Sequence, residues 1–188
     1  GATTFWRGDA TWVAPTGTHV KLLSGSAGSS VTHSFLTFMD DSLYDMYMVS
    51  LSKVTGQAGN TMDFQFAEVG GAFTGSDYFG AVQGYDSGDS AYVDAYESAA
   101  EGKLGTAIAG TVNTVGTYLF WICNNPNTKT MGNSVYGNNW GYRNDLGDYI
   151  FTNYTIGFNN TDDVTGFVLH ASGDDATTFD YAIYGITK

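Results

Sequence analysis

The chain has 188 residues, the length of one domain, and sets 7 Lys and Arg against 19 Asp and Glu for a formal net charge of −12. That balance excludes a nucleic-acid binder, which needs cations to displace counterions from phosphates, and a hydrophobic content of 43% excludes disorder. No apolar run reaches the length of a membrane-spanning helix, and 15% aromatic residues with 25 Gly and few charged helix formers point to β-structure.

Residues 1–18 carry turn residues throughout and no sustained period, so they read as a linker or docking arm. Gly1-Ala2-Thr3-Thr4 has neither the basic start nor the apolar stretch of a signal peptide, and without an initiator Met the chain is expected to be processed, excised from something longer, or read from an internal point. Trp6, Arg7, Asp9 and Trp12 are the candidate docking residues. Arg7-Gly8-Asp9 spells a cell-adhesion tripeptide, but three-residue matches are cheap, and the flanking indoles suggest a docked turn.

Residues 19–188 are expected to form a single β-sandwich. Gly25–Ser30 reads as a turn, and Val31–Phe38 as a strand with Leu36 and Phe38 on one face. In Asp45–Lys53, Tyr47, Val49 and Leu51 alternate with Ser50 and Ser52; in Thr61–Ala67, Met62, Phe64 and Phe66 alternate with Asp63 and Gln65. Tyr92–Leu104 is Ala- and Glu-rich and fits either a short helix or a strand over Ala91–Glu97 followed by a loop. Tyr118–Ile122 is apolar on both faces, which calls for cover on two sides, from a partner subunit or from a long loop. Cys123 closes that run; a lone Cys forms no internal disulfide and reads as a small buried hydrophobe. Ile150–Phe158 is mixed, Val164–His170 puts Phe167 with Leu169, and Phe179, Tyr181 and Ile183 alternate near the end. Further turn clusters at Gly56–Asn60, Gly70–Gly75, Asp86–Asp89, Asn124–Asn127, Gly132–Asn139, Asn159–Asp163 and Gly173–Ala176 fit an all-β sandwich or barrel. No repeat period is visible.

His19, His33 and His170 lack metal-ligand spacing, and no nucleophile-elbow, C-x-x-C or P-loop pattern occurs. The acids Asp40-Asp41, Asp86, Asp89, Asp162-Asp163 and Asp174-Asp175 sit in turns, where Asp starts the turn by bonding its own backbone. A glycosidase would need two carboxylates facing across a cleft. Gly84–Ser90 offers clustered oxygens to calcium through Asp86 and Asp89, but lacks the EF-hand loop. No catalytic residue, metal ligand or cofactor is therefore assigned. Asn133–Asn144 sets Tyr136, Trp140 and Tyr142 among Asn and Gly, including Asn138. Flat aromatics beside amides suit sugar rings, which stack on their apolar faces and hydrogen-bond at their hydroxyls. A hairpin with these rings packed inward is the commoner arrangement. The Asn-x-Thr sequons at Asn153 and Asn159 matter only in a secreted eukaryotic setting, which nothing else supports.

Three segments, in order, resemble the C-terminal domains of bacteriophage tail-fibre or head-fibre virion proteins. Phe5-Trp6-Arg7-Gly8-Asp9-Ala10-Thr11-Trp12 resembles the "L-R-G-D-G-T-W" segment where a shaft or collar hands over, with Ala10 in place of the usual Gly. Tyr44-Asp45-Met46-Tyr47-Met48-Val49 resembles the "Y-D-x-Y-x-I/V" strand of their small jelly rolls, and Thr165-Gly166-Phe167 with Ala182-Ile183-Tyr184-Gly185-Ile186 resembles their closing strands. The resemblance implies a jelly-roll-like antiparallel β-sandwich, a homotrimer, and a place on the virion surface at a fibre tip or on the capsid. It supplies no catalytic residues. The expected function is non-enzymatic adhesion to a host-surface glycan, with other virion proteins as partners and neither nucleic acid nor membrane insertion involved. Capsid decoration through the N-terminal arm is the nearest rival; a polysaccharide depolymerase and a free-standing carbohydrate-binding module are the others.

Overall fold

The computed structural model describes residues 5–6, 12–13, 19–56, 61–86, 91–105, 116–123, 133–143, 148–160, 162–172 and 176–187. β1 (Phe5–Trp6) and β2 (Trp12–Val13) make a two-stranded antiparallel pair with Trp6 opposite Trp12. Then come β3 (His19–Ser30), β4 (Thr32–Phe35), β5 (Tyr44–Thr55), β6 (Met62–Glu68), β7 (Gly71–Ala72), β8 (Tyr78–Asp86) and β9 (Ala91–Ala99). The remainder are β10 (Gly102–Lys103), β11 (Gly116–Cys123), β12 (Ser134–Arg143), β13 (Asp148–Phe158), β14 (Gly166–Ala171) and β15 (Thr177–Thr187).

The pairing is nested. β3 pairs with β15, β4 with β14, β5 with β11 and β6 with β10, all antiparallel. Successive members of this set alternate between two sheets, which is the wrap of a jelly roll. Two hairpins, β8–β9 and β12–β13, are inserted into it and extend the larger sheet to the order β3-β15-β5-β11-β12-β13-β8-β9. The smaller sheet runs β10-β6-β14-β4, with β7 on β6.

Between the sheets lies an aromatic core. Met62, Phe64 and Phe66 of β6 and Phe167 and Leu169 of β14 are buried with Tyr47, Val49 and Leu51 of β5 and Tyr118, Phe120 and Ile122 of β11. Phe64 and Phe167 stack at 5.3 Å, and Phe120 meets both at steep angles, 6.0 and 5.9 Å away. Offset and edge contacts of this kind add stabilisation beyond the area they bury.

Several expectations are corrected. Gly25–Ser30 lies inside β3, not in a turn: as an edge strand it takes its cover from β15, and the Tyr181 ring rests against Gly25. β4 ends at Phe35, so its inward residues are His33 and Phe35; Thr37 at φ 59° breaks the strand before Phe38, whose N–H donates to the Thr165 carbonyl. Most of Gly132–Asn139 is strand β12. Tyr92–Leu104 holds no helix; β9 runs on to Ala99 and a bend leads to β10. Asp63 and Gln65 are buried although they point away from the core. Cys123 is half-exposed on the outward side of β11. The turn clusters at 56–60, 86–89, 124–127 and 173–176 lie wholly or largely outside the described residues.

Candidate functional site

Strand alternation decides what β12 presents. Asn139 turns inward, where its amide nitrogen donates to the Leu104 carbonyl, so Tyr136, Asn138, Trp140 and Tyr142 all turn outward. The inward-packed arrangement of these rings is not adopted. Neighbouring strands add to the row: Trp140 lies opposite Phe151, which lies opposite Tyr85, and Tyr142 lies opposite Tyr149. Trp140 keeps 49% and Tyr149 52% of their surface exposed. Trp140 and Tyr149 stack at 5.5 Å, and Trp121 of β11 stacks on Tyr136 at 5.4 Å, so the sheet carries two flat aromatic platforms. Their β12 members are four residues apart, about 13 Å along the strand. Asn138, Asn153 and Gln83 form a cross-strand amide row between them. Beside Tyr136, toward Phe79 and Asn159, opens a hollow of about 720 Å³, within the usual size range of ligand pockets.

Trp6 and Trp12 lie in β1 and β2, while Arg7 and Asp9 fall outside the described residues. For the calcium expectation, Asp86 ends β8, and Asp89 lies outside them too. Cys123 shows no sign of an activated thiolate: burial pushes its thiol up, with Ser134 pulling weakly back.

A second cluster escaped the sequence reading. On the outward side of the smaller sheet, Asp63 of β6 lies opposite both His170 of β14 and Lys103 of β10. Glu101, in the bend between β9 and β10, places Oε2 2.7 Å from His170 Nε2. One ligand atom from each of Asp63, Glu101 and His170 lies within 4.8 Å of the others. Asp63 is only 3% exposed. Burial drives its carboxyl up to about 7 and the like charge of Glu101 adds to this, while His170, the Thr61 hydroxyl and Lys103 pull it back. Lys103 itself reaches Asp94 at 2.7 Å. Beside the cluster is a hollow of about 370 Å³, lined in part by Thr32, Ser34, Gln65, Glu101 and His170. Glu101 and His170 line this hollow and Asp63 does not. His33 is structural instead, its Nε2 3.1 Å from the Thr177 carbonyl oxygen.

The three residues are far apart in sequence; strand register sets Asp63 opposite His170, and the β9–β10 bend brings Glu101 to them. The one local signal was an acid inside an apolar strand, Asp63 between Met62 and Phe64.

The class is thus an antiparallel jelly-roll sandwich with a broad aromatic outward face. Comparison with family models, curated proteins and solved structures gave no match.

Proposed function

We propose that this chain is a non-enzymatic phage virion protein of the fibre-tip type that adheres to host-surface glycans. One observation carries the adhesion half: the exposed aromatic platforms of β12 and β13, with the amide row between them. Such a surface offers stacking to sugar rings and hydrogen bonds to their hydroxyls. The virion half rests on the ordered motifs at Phe5–Trp12, Tyr44–Val49 and Thr165–Ile186.

Capsid decoration is the second reading. It is favoured by the β1–β2 pair, which bonds to no other strand among the described residues and so suits an anchoring arm. A homotrimer belongs to both readings. It is supported by the outward side of β5, β11 and β15, where Met46, Met48, Leu119, Tyr184 and Ile186 are half-exposed and mostly apolar.

The test is a host-glycan array probed with the purified protein and with Trp140→Ala. Binding that weakens at least about tenfold in the variant, roughly 1.4 kcal/mol, supports adhesion through this face. Absence of glycan and host-cell binding alongside firm binding to capsid overturns it in favour of decoration.

A further inference from the structure

We propose that Asp63, Glu101 and His170 form a site for one divalent transition-metal ion, with zinc the best fit. The fold brings these donors from β6, from the β9–β10 bend and from β14 to within 4.8 Å of one another. Zinc holds carboxylate oxygens and imidazole nitrogens at 2.0–2.2 Å, which sets tetrahedral ligands about 3.4 Å apart. The side chains therefore need to move by about 1 Å, and Glu101 can supply this because it sits in a bend and is part-exposed.

Charge argues the same way. Two carboxylates lie together, one of them almost fully buried, and the nearest lysine, Lys103, is engaged by Asp94. A buried carboxylate beside a second, part-exposed one is costly unless a cation offsets it, and a dication becomes the dominant local charge where it binds. The donor set selects the ion. Calcium and magnesium take all-oxygen shells, whereas a mixed set of one imidazole and two carboxylates suits zinc and its first-row neighbours.

Supporting contacts are in place around the cluster. The Thr61 hydroxyl donates to Asp63 Oδ1 at 3.1 Å, and Gln65 Nε2 donates to the Ala100 carbonyl at 3.1 Å, holding the backbone just before Glu101. The hollow lined by Thr32, Ser34 and Gln65 leaves room for water at a remaining coordination position. An ion there would tie the exit of the inserted β8–β9 hairpin to the two central strands of the smaller sheet, so its binding would add to folding stability.

The experiment uses the full chain, stripped with a chelator and titrated with zinc chloride by calorimetry and thermal unfolding, with magnesium and calcium chloride in parallel. The expected result is one strong zinc site per chain and a Tm raised by several degrees at about a hundredfold excess over Kd, with neither magnesium nor calcium matching it. His170→Ala and Glu101→Gln, both at part-exposed positions, should each weaken zinc at least tenfold while keeping the metal-free Tm near wild type. Glu68→Gln, at an exposed acid at the end of β6, should change nothing. No saturable zinc binding overturns the proposal. So does binding of equal strength in the His170 and Glu101 variants, which would mark an adventitious ion only.

Discussion

His33 is buried against Phe179, with ring centroids 4.5 Å apart, and its Nε2 is within reach of both the carbonyl and the hydroxyl oxygen of Thr177. Burial lowers its pKa below 6.5, while hydrogen bonds to the Thr177 and Ser30 backbone pull the other way. A folded-state value below the unfolded one means that the unfolded chain takes up the proton first. The stability that neutral His33 supports is therefore present above pH 6.5 and is lost as the pH falls from there through the folded value. Asp63, its carboxyl raised by burial to about 7, takes up its proton in the folded chain and works the other way over this range, so the test is a difference: the urea midpoint of the wild type relative to that of His33→Gln should fall from pH 7.5 to pH 5. An equal slope in the variant would place the acid sensitivity elsewhere. Gly166 shows a steric limit at the same scale: a Cβ there would strike the Phe35 carbonyl oxygen and come within 2.8 Å of the Leu36 Cα, both backbone atoms that cannot swing aside. Gly166→Ala should cost about 1–3 kcal/mol, read as a drop in the denaturation midpoint with unchanged m-value.

At the scale of elements, the strands that sequence made legible are those with their own apolar face. Tyr47, Val49 and Leu51, or Met62, Phe64 and Phe66, alternate cleanly because each strand supplies half of its contact with the opposite sheet. β3 was missed because its residues Gly25–Ser30 are small and exposed, and their partner Tyr181 belongs to a strand some 150 positions away. The first half of β12 reads as a turn in the sequence because Asn and Gly occupy positions that its neighbours β11 and β13 hold in register. Asp63 was readable as a strand residue, but its burial follows from the Ala100–Glu101 bend that crosses the outward face, and no period records that. The same ordering predicts local stability. β14, β5 and β15 have partners on both sides, whereas β3 and β9 are sheet edges. Amide hydrogen exchange should be slowest in β14, β5 and β15 and fastest in β3 and β9. Protection in β9 equal to that in β14 would mean that something covers that edge in solution.

For the whole molecule, the charge of −12 and the half-exposed apolar band act against each other. Met46, Met48 and Leu119 present a surface that suits another copy of the chain, while each copy brings the same negative field, with a pI near 4.2. Like-charged protomers repel over about a Debye length, 30 Å at 0.01 M salt and 8 Å at 0.15 M. Burial of the apolar band is by contrast little weakened by salt. If the proposed trimer forms there, it should tighten as salt is raised from 0.01 to 0.15 M and then level off. Sedimentation equilibrium would show a mass about three times the 20.1 kDa of the chain at the higher salt, with dissociation appearing at the lower. Leu119→Glu places a further negative charge inside that band and should give monomers at both, while leaving the inward residues Tyr118 and Phe120 untouched. A wild-type mass of one chain at every salt concentration would remove the trimer. A trimer unaffected by Leu119→Glu would move its interface to another side of the sandwich and leave the band open for ligand.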